Sequence, residues 1–297
     1  TGPSGEEANG DSRDPTISGD GSVVAFVTQA TNVAPATNDS TIDSKVVRID
    51  LASGEHTVVT RSKTTGDASE GAWPMLSEDG DRLVFWAYRD VTGDLNPNLW
   101  DVFVYEHSTK KQWPVSQAKT GANRDQGPDS SSGVIRPAIS GDGRWVTYGT
   151  SATNVVGTSD KLWHVYLVEA DHCDASGCNV VLVDQAGGAI GDDDAASEYA
   201  PLSYDGSLVV FTSAASNLGV ASSGYTNVFL YERATAALTP LTNMSSGYGG
   251  SYASATLSPD GAYAAFGAYT KLDARFDTDG IFAAYTGRAN AFSWKTQ

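Results

Sequence analysis

Carboxylates are the chemistry this chain has in excess: 36 Asp and Glu stand against 19 Lys and Arg, a formal charge of -17. Glycoside hydrolysis needs two carboxylates held several ångströms apart across a pocket. Asp14, Glu70, Asp194 and Glu198 fall in segments where such a pair can form. Asp277-Thr-Asp279-Gly280, with Asp273 upstream, offers oxygens to calcium, although the twelve-residue loop with its terminal Glu is missing. Asp192-Asp-Asp194 is a second acidic cluster, and both also read as solvated turns. No cofactor is required, and calcium is the ion these loops could take. The four histidines, at 56, 107, 164 and 172, have no clear nucleophile partner in sequence. Gly-x-Ser-x-Gly, His-Glu-x-x-His and Gly-x-x-x-x-Gly-Lys are all absent, which removes the usual signatures of serine hydrolases, zinc peptidases and phosphate-cradling loops.

Charge narrows the partners. A strongly acidic surface repels a phosphate backbone, so nucleic acid is excluded. No apolar run reaches the ~18 to 20 residues that span a bilayer, so no membrane insertion is expected. Cys173 and Cys178 are the only cysteines, and the four-residue loop between them can bring the thiols into bridging distance. A disulfide implies an oxidising compartment. Free thiols, or a metal site recruiting His164 and His172, are the competing readings. The chain starts at Thr1, which fits a removed signal peptide or a cut chain, and the expected location is extracellular or periplasmic.

The elements that must position these groups come from a repeat. Pro15-Thr-Ile-Ser-Gly-Asp-Gly21, Pro74-Met-Leu-Ser-Glu-Asp-Gly80, Pro137-Ala-Ile-Ser-Gly-Asp-Gly143, Pro201-Leu-Ser-Tyr-Asp-Gly206 and Ala255-Thr-Leu-Ser-Pro-Asp-Gly261 are copies, the fourth one residue shorter before its Ser. An aromatic follows five residues after each glycine: Phe26, Phe85, Tyr148, Phe211 and Phe266. Asp-Gly between two apolar runs is a favoured hairpin turn, which defines strands a and b. Runs such as Val46-Val-Arg-Ile49 and Val228-Phe-Leu-Tyr231, followed by short polar turns and runs such as Thr57-Val-Val59, supply strands c and d. A single four-stranded meander cannot bury both faces, so the copies must stack, and radial stacking gives a propeller. The reading is all-β: one β-propeller domain over 1–297, with five four-stranded antiparallel blades near 14–62, 72–117, 135–185, 199–243 and 253–297.

These copies resemble the WD40-like (PD40) repeats of TolB-type bacterial propellers, whose hallmark is Pro-x-x-Ser-x-Asp-Gly. Ala30-Thr-Asn-Val33, Ala152-Thr-Asn-Val155 and Ala215-Ser-Asn-Leu218 share the likeness, which covers residues 13 to 297. The resemblance implies an exported scaffold or binding module. Most relatives have six or seven blades, so five is a departure. Each copy runs from strand a to strand d, so ring closure falls to packing of the fifth blade on the first.

Meander connectivity puts the tight a–b and c–d turns on one face and every long b–c and d–a loop on the other, where binding residues gather. The position just before the strand-a proline lies at the channel mouth and holds Asp14, Trp73, Arg136, Ala200 and Ser254. Tyr199 and Tyr252 stand nearby, and Trp100 and Trp163 precede strand c in the second and third copies. Indoles beside an Arg make a platform for a sugar ring or a peptide, unless the rings pack between blades. The leading expectation is a non-catalytic module that binds a protein or glycan through this face. A glycoside hydrolase or lyase with acids in the funnel is the alternative, and a structural subunit of a cell-surface assembly the third reading.

Overall fold

The computed structural model describes residues 2–34, 44–62, 66–88, 100–120, 135–174, 177–195, 199–220, 226–242, 255–268 and 280–285. Among them every regular element is a strand. The first sheet orders β1 (Ser12–Ile17), β2 (Val23–Thr28), β3 (Lys45–Asp50) and β4 (His56–Val58) as an antiparallel meander. The second repeats it with β5 (Gly71–Leu76), β6 (Arg82–Tyr88), β7 (Trp100–Glu106) and β8 (Lys111–Pro114). The third uses β9 (Ala138–Ile139), β10 (Trp145–Thr150), β11 (His164–Asp174) and β12 (Gly177–Leu182), followed by a small hairpin, β13 (Gln185–Ala186) and β14 (Ala189–Ile190). In the fourth, β15 (Leu208–Ser213), β16 (Asn227–Glu232) and β17 (Ala237–Pro240) are joined by a bridge from Leu202 to Val209 in place of a first strand. The fifth holds β18 (Thr256–Leu257), β19 (Tyr263–Ala268) and β20 (Gly280–Tyr285). Its expected last strand, Ala291 to Trp294, lies outside the described residues.

One turn is built five times. The Ser hydroxyl donates to the Asp Oδ1 two residues on, at 2.6 to 2.9 Å, in Ser18/Asp20, Ser77/Asp79, Ser140/Asp142, Ser203/Asp205 and Ser258/Asp260. The same hydroxyl accepts the N–H of the residue that opens the next strand, and the carboxylate accepts an N–H inside the turn. The glycine that follows takes positive φ, as at Gly206 (63°). It also sits against the preceding sheet: a methyl group on Gly206 would lie 2.5 Å from Trp145.

These turns also bond to one another. Gly19 N donates to Glu78 O at 2.7 Å, Glu78 N to Gly141 O at 2.9 Å, Asp142 N to Tyr204 O at 2.9 Å and Tyr204 N to Pro259 O at 2.7 Å. The turns of the first four sheets therefore each hand one hydrogen bond to the next sheet, in a single direction along the row. Behind the turns the sheets pack face to face. Phe85 and Phe103 of the second sheet stack at 5.9 Å and bury against Val23, Ala25 and Val27 of the first. Tyr148 and Tyr166 repeat this on the second sheet, Phe211 and Phe229 on the third, and Ala264 and Phe266 on the fourth. In the second to fifth sheets the aromatic five residues after the turn glycine is thus the side chain the sheet presses into its predecessor.

Candidate functional site

Counting back from the turn Ser sets the mouth. Asp14, Trp73 and Arg136 each stand four residues before Ser18, Ser77 and Ser140, and in the fourth copy that residue is Tyr199, because this copy lacks one residue after its proline. Ala200, read from the proline, is instead fully buried, and its carbonyl accepts Thr147 Oγ1 at 2.6 Å. Local backbone makes the mouth position special. In β1 and β5 the register slips between Arg13 and Thr16 and between Ala72 and Met75, and the residues in the slip have positive φ, 52° at Asp14 and 49° at Trp73. Asp tolerates that region, but a Trp held there is strained by about 1 kcal/mol or more.

Three of these side chains meet across three sheets. The Arg136 guanidinium carbon lies 5.2 Å from the ring centres of both Trp73 and Tyr199. Arg136 Nη1 donates to Tyr199 Oη at 2.9 Å, and the two residues form a parallel backbone bridge. Trp73 is braced edge-on by Trp86 at 4.8 Å. A cation gripped by two π faces keeps its planar fork of donors oriented with little rotamer entropy left to lose, which suits a carboxylate. Asp14, at the same level on the first sheet, is half-buried, with Arg13 Nε 3.5 Å from its carboxylate.

The other sequence candidates divide. Trp100 opens β7, opposite Tyr88, and packs against the core between the second and third sheets. The backbone N–H of Trp163 donates to Asp194 Oδ1 at 2.7 Å, so Asp194 is engaged in holding a loop. Glu70 is half-buried in the loop before β5. Tyr252, Glu198 and the calcium candidates Asp273, Asp277 and Asp279 lie outside the described residues. Cys173 and Cys178 are disulfide-bonded across the β11–β12 hairpin. Among the described residues no three His, Cys, Asp or Glu side chains converge as metal ligands, and no helix is long and apolar enough to cross a membrane.

Sequence reasoning missed one ionised cluster. His164, buried at the start of β11, places Nδ1 2.6 Å from Asp184 Oδ2 and Nε2 2.8 Å from Asp160 Oδ1. Asp184 Oδ1 in turn accepts Val165 N–H at 3.0 Å. The same clasp recurs with a hydroxyl in place of the Asp184 carboxylate: Ser116 links Val102 N–H to Asp101, and Thr242 links Val228 N–H to Asn227. A polar residue before strand c paired with one just after strand d, repeated from copy to copy, is the signal that could have found it.

No family model matches the chain, and no curated protein matches it. Solved structures do resemble it. The β-propeller domain of the Trilobed protease from Pyrococcus furiosus, described as having an open velcro topology, superimposes with a TM-score of 0.54 at 10% identity over 98% of this chain and 72% of that one. A prolyl endopeptidase gives 0.53 at 12% identity over 96% of this chain, and an oligogalacturonate lyase in complex with manganese gives 0.54 at 14% identity over 94%. The chain spans 36% of that endopeptidase and 63% of that lyase. At these identities the likeness establishes the β-propeller fold, and membership of the TolB-type family is not established. The expectation of a non-catalytic binding module is corrected at this point, because the propellers this chain resembles belong to peptidases and a lyase; the enzymatic alternative is the one carried forward.

Proposed function

We propose that this chain is the propeller of a carbohydrate-active enzyme of the lyase type, which takes an acidic sugar at the mouth formed by Asp14, Trp73, Arg136 and Tyr199. The carrying observation is the Arg136 guanidinium clamped between Trp73 and Tyr199. Hydrolysis needs two opposed carboxylates, whereas eliminative cleavage of a uronate needs one cation on the sugar carboxylate and one base. The described mouth offers that second set, with Asp14 as the candidate base. In the step, the base takes the proton on the carbon next to the carboxylate, a carbon–carbon double bond forms, and the glycosidic oxygen leaves and takes up a proton. Arg136 offsets the charge that builds on the carboxylate. The likeness to the propeller of an oligogalacturonate lyase agrees with this choice. The groups named in the step are the chain's own, Arg136 and Asp14.

The same reading takes the chain as one five-bladed propeller with TolB-like, WD40-like repeats, exported to a compartment that permits the Cys173–Cys178 disulfide. The test is incubation with uronate oligosaccharides and with their carboxyl-reduced counterparts, with and without added manganese, followed by ultraviolet absorbance of the unsaturated product. Product from the uronates alone is expected, and Arg136→Ala should lower its rate by about 100-fold or more. Equal cleavage of reduced substrates, or activity untouched by Arg136→Ala, overturns the proposal.

A further inference from the structure

Beside the mouth the first sheet carries a cleft of about 270 Å³, lined by Ala8, Ser12, Arg13, Pro15, Phe26 and Val33. Three segments form it: the stretch that leads into β1, β1 itself, and β2 with the loop that follows it. The stretch before β1 and the loop after β2 both belong to the long-loop side, so the cleft opens where the mouth does. One wall is an aromatic that its own sheet leaves half open. Phe85, Tyr148, Phe211 and Phe266, five residues after their turn glycines, are 2% exposed or less, whereas Phe26 at the same place is half-buried. The volume is just under the ~300 to 1,000 Å³ of pockets that enclose drug-sized ligands, so it suits one ring of a longer molecule.

The walls are fixed before any ligand arrives. Thr31 N donates to Asn9 Oδ1 at 2.8 Å, Asn9 N to Asn32 Oδ1 at 3.0 Å and Asn32 Nδ2 to Glu7 O at 2.7 Å, which ties the stretch holding Ala8 to the loop holding Val33. Ser12 Oγ donates to Thr28 Oγ1 at 2.9 Å, and the Val33 carbonyl meets His56 Nδ1. The fourth sheet uses the same three-bond clamp, with Ile190 and Asp192 on one side and Ser216 and Asn217 on the other. The clamp is thus a joint of the repeat, and what differs is the set of side chains around it. A preformed cleft loses little ordering entropy when it is filled.

Charge marks the edge toward the mouth. Arg13 is exposed on the rim, with Nε 3.5 Å from the carboxylate of Asp14, the candidate base. That pair engages Nε, and a guanidinium has four more N–H donors in its planar fork. Apolar surface on Phe26 and Pro15 with a forked cation at its edge fits a pyranose that carries a carboxylate: the C–H face of the ring lies on the aromatic, and the acid meets the fork. We infer that the cleft is a second sugar subsite, which holds the uronate next in line to the one bound by Arg136, with Asp14 between the two. Residues 13 and 14 are neighbours in the chain, so one oligosaccharide passes from cleft to mouth without a gap. The assignment rests on the acidic-sugar reading of the mouth given above.

The test is calorimetric titration in an Asp14→Asn background, because Asn tolerates the left-handed backbone at that place and the sugar is no longer consumed. The probes are a saturated diuronate, the matching triuronate and triglutamate. The triuronate should bind at least about 10-fold more tightly than the diuronate, and adding Arg13→Ala or Phe26→Leu should remove that gain. Equal binding of the two sugars, or an equal loss of both on Arg13→Ala, overturns the subsite, while the mouth stands if Arg136→Ala still weakens the diuronate. No binding of either sugar overturns the reading of the mouth and the subsite with it. Triglutamate bound more tightly than the triuronate, and released by Arg13→Ala, gives the cleft to an acidic peptide and overturns the sugar assignment.

Discussion

His164 offers the sharpest test of how a blade is held. Both ring nitrogens face carboxylate oxygens, at 2.6 and 2.8 Å, so both must donate and the ring must be an imidazolium. Burial opposes that charge, but the hydrogen bond and charge of Asp184, with those of Asp160, outweigh burial and lift the His164 pKa from 6.5 to about 9. A raised pKa of this size contributes about 3 kcal/mol. Because the folded value is the higher one, the contribution is complete below 6.5 and is lost as pH rises through about 9. Removing the ring alone, as His164→Gln, leaves the buried Asp184 carboxylate without its cation and should cost about 3 to 5 kcal/mol. The fourth sheet shows the repair: His164→Asn with Asp184→Thr copies its Asn227–Thr242 clasp, and should recover most of the loss. Urea unfolding at about pH 6 and about pH 10 reads the effect, with the double variant cancelling every other titrating group. Wild type should lose about 3 kcal/mol more than the double variant between the two. An equal loss in both, or a His164→Gln cost under about 1 kcal/mol, refutes the assignment of the charge to His164.

Other perturbations test the remaining joints. Gly206→Ala forces a Cβ into the left-handed region and against Trp145, and should cost about 2 to 4 kcal/mol by chemical denaturation. Asn217→Ala breaks both bonds of its side chain to the 190–192 connector, and should speed hydrogen exchange there while leaving β15 protected. Reducing the Cys173–Cys178 disulfide frees a short loop at the tip of one hairpin, and should lower stability by about 2 kcal/mol without unfolding the chain. The Asp20 carboxylate is held down to about 2 by hydrogen bonds from Ser22 and Ser18, so its contribution is full above 3.8 and lost as pH falls through about 2. Carboxyl NMR titration should find Asp20 still ionised at pH 3.8.

The repeat was readable because its chemistry is local: Ser, Asp and Gly within four residues carry every hydrogen bond of the turn. Meander order and the role of the fifth-following aromatic came with it. What escaped needs partners far apart in sequence that change chemistry from copy to copy. His164 and Asp184 are separated by two strands, and their counterparts are Asp101 with Ser116 and Asn227 with Thr242, so no single residue type marks the clasp. The cluster around Arg136 was half legible. Counting from the proline reaches Asp14, Trp73 and Arg136, but in the shortened fourth copy that count lands on buried Ala200, because the turn Ser, not the proline, is what the sheets share. The left-handed backbone at Asp14 and Trp73 had no sequence signal, since a register slip in the innermost strand depends on how that strand meets its neighbour.

The division between these two kinds of residue explains how such a scaffold takes on chemistry. Turn-to-turn hydrogen bonds and buried glycines set the spacing between sheets using atoms that do not vary, so in the first four sheets the residue four before the Ser keeps its place whatever it is. An acid, an indole, a guanidinium and a phenol occupy that place in successive sheets. Their exchange should therefore alter the site far more than the fold. Arg136→Ala removes contacts to Trp73 and Tyr199 at the edge of the structure, and should change stability by no more than about 1 kcal/mol. Trp73→Gly should cost less than an ordinary core truncation: relief of the left-handed strain offsets part of the lost packing on Trp86, so it should be less destabilising than Trp86→Ala. If thermal denaturation instead shows Trp73→Gly to be the more damaging of the two, the mouth is part of the core and not a position carried by it.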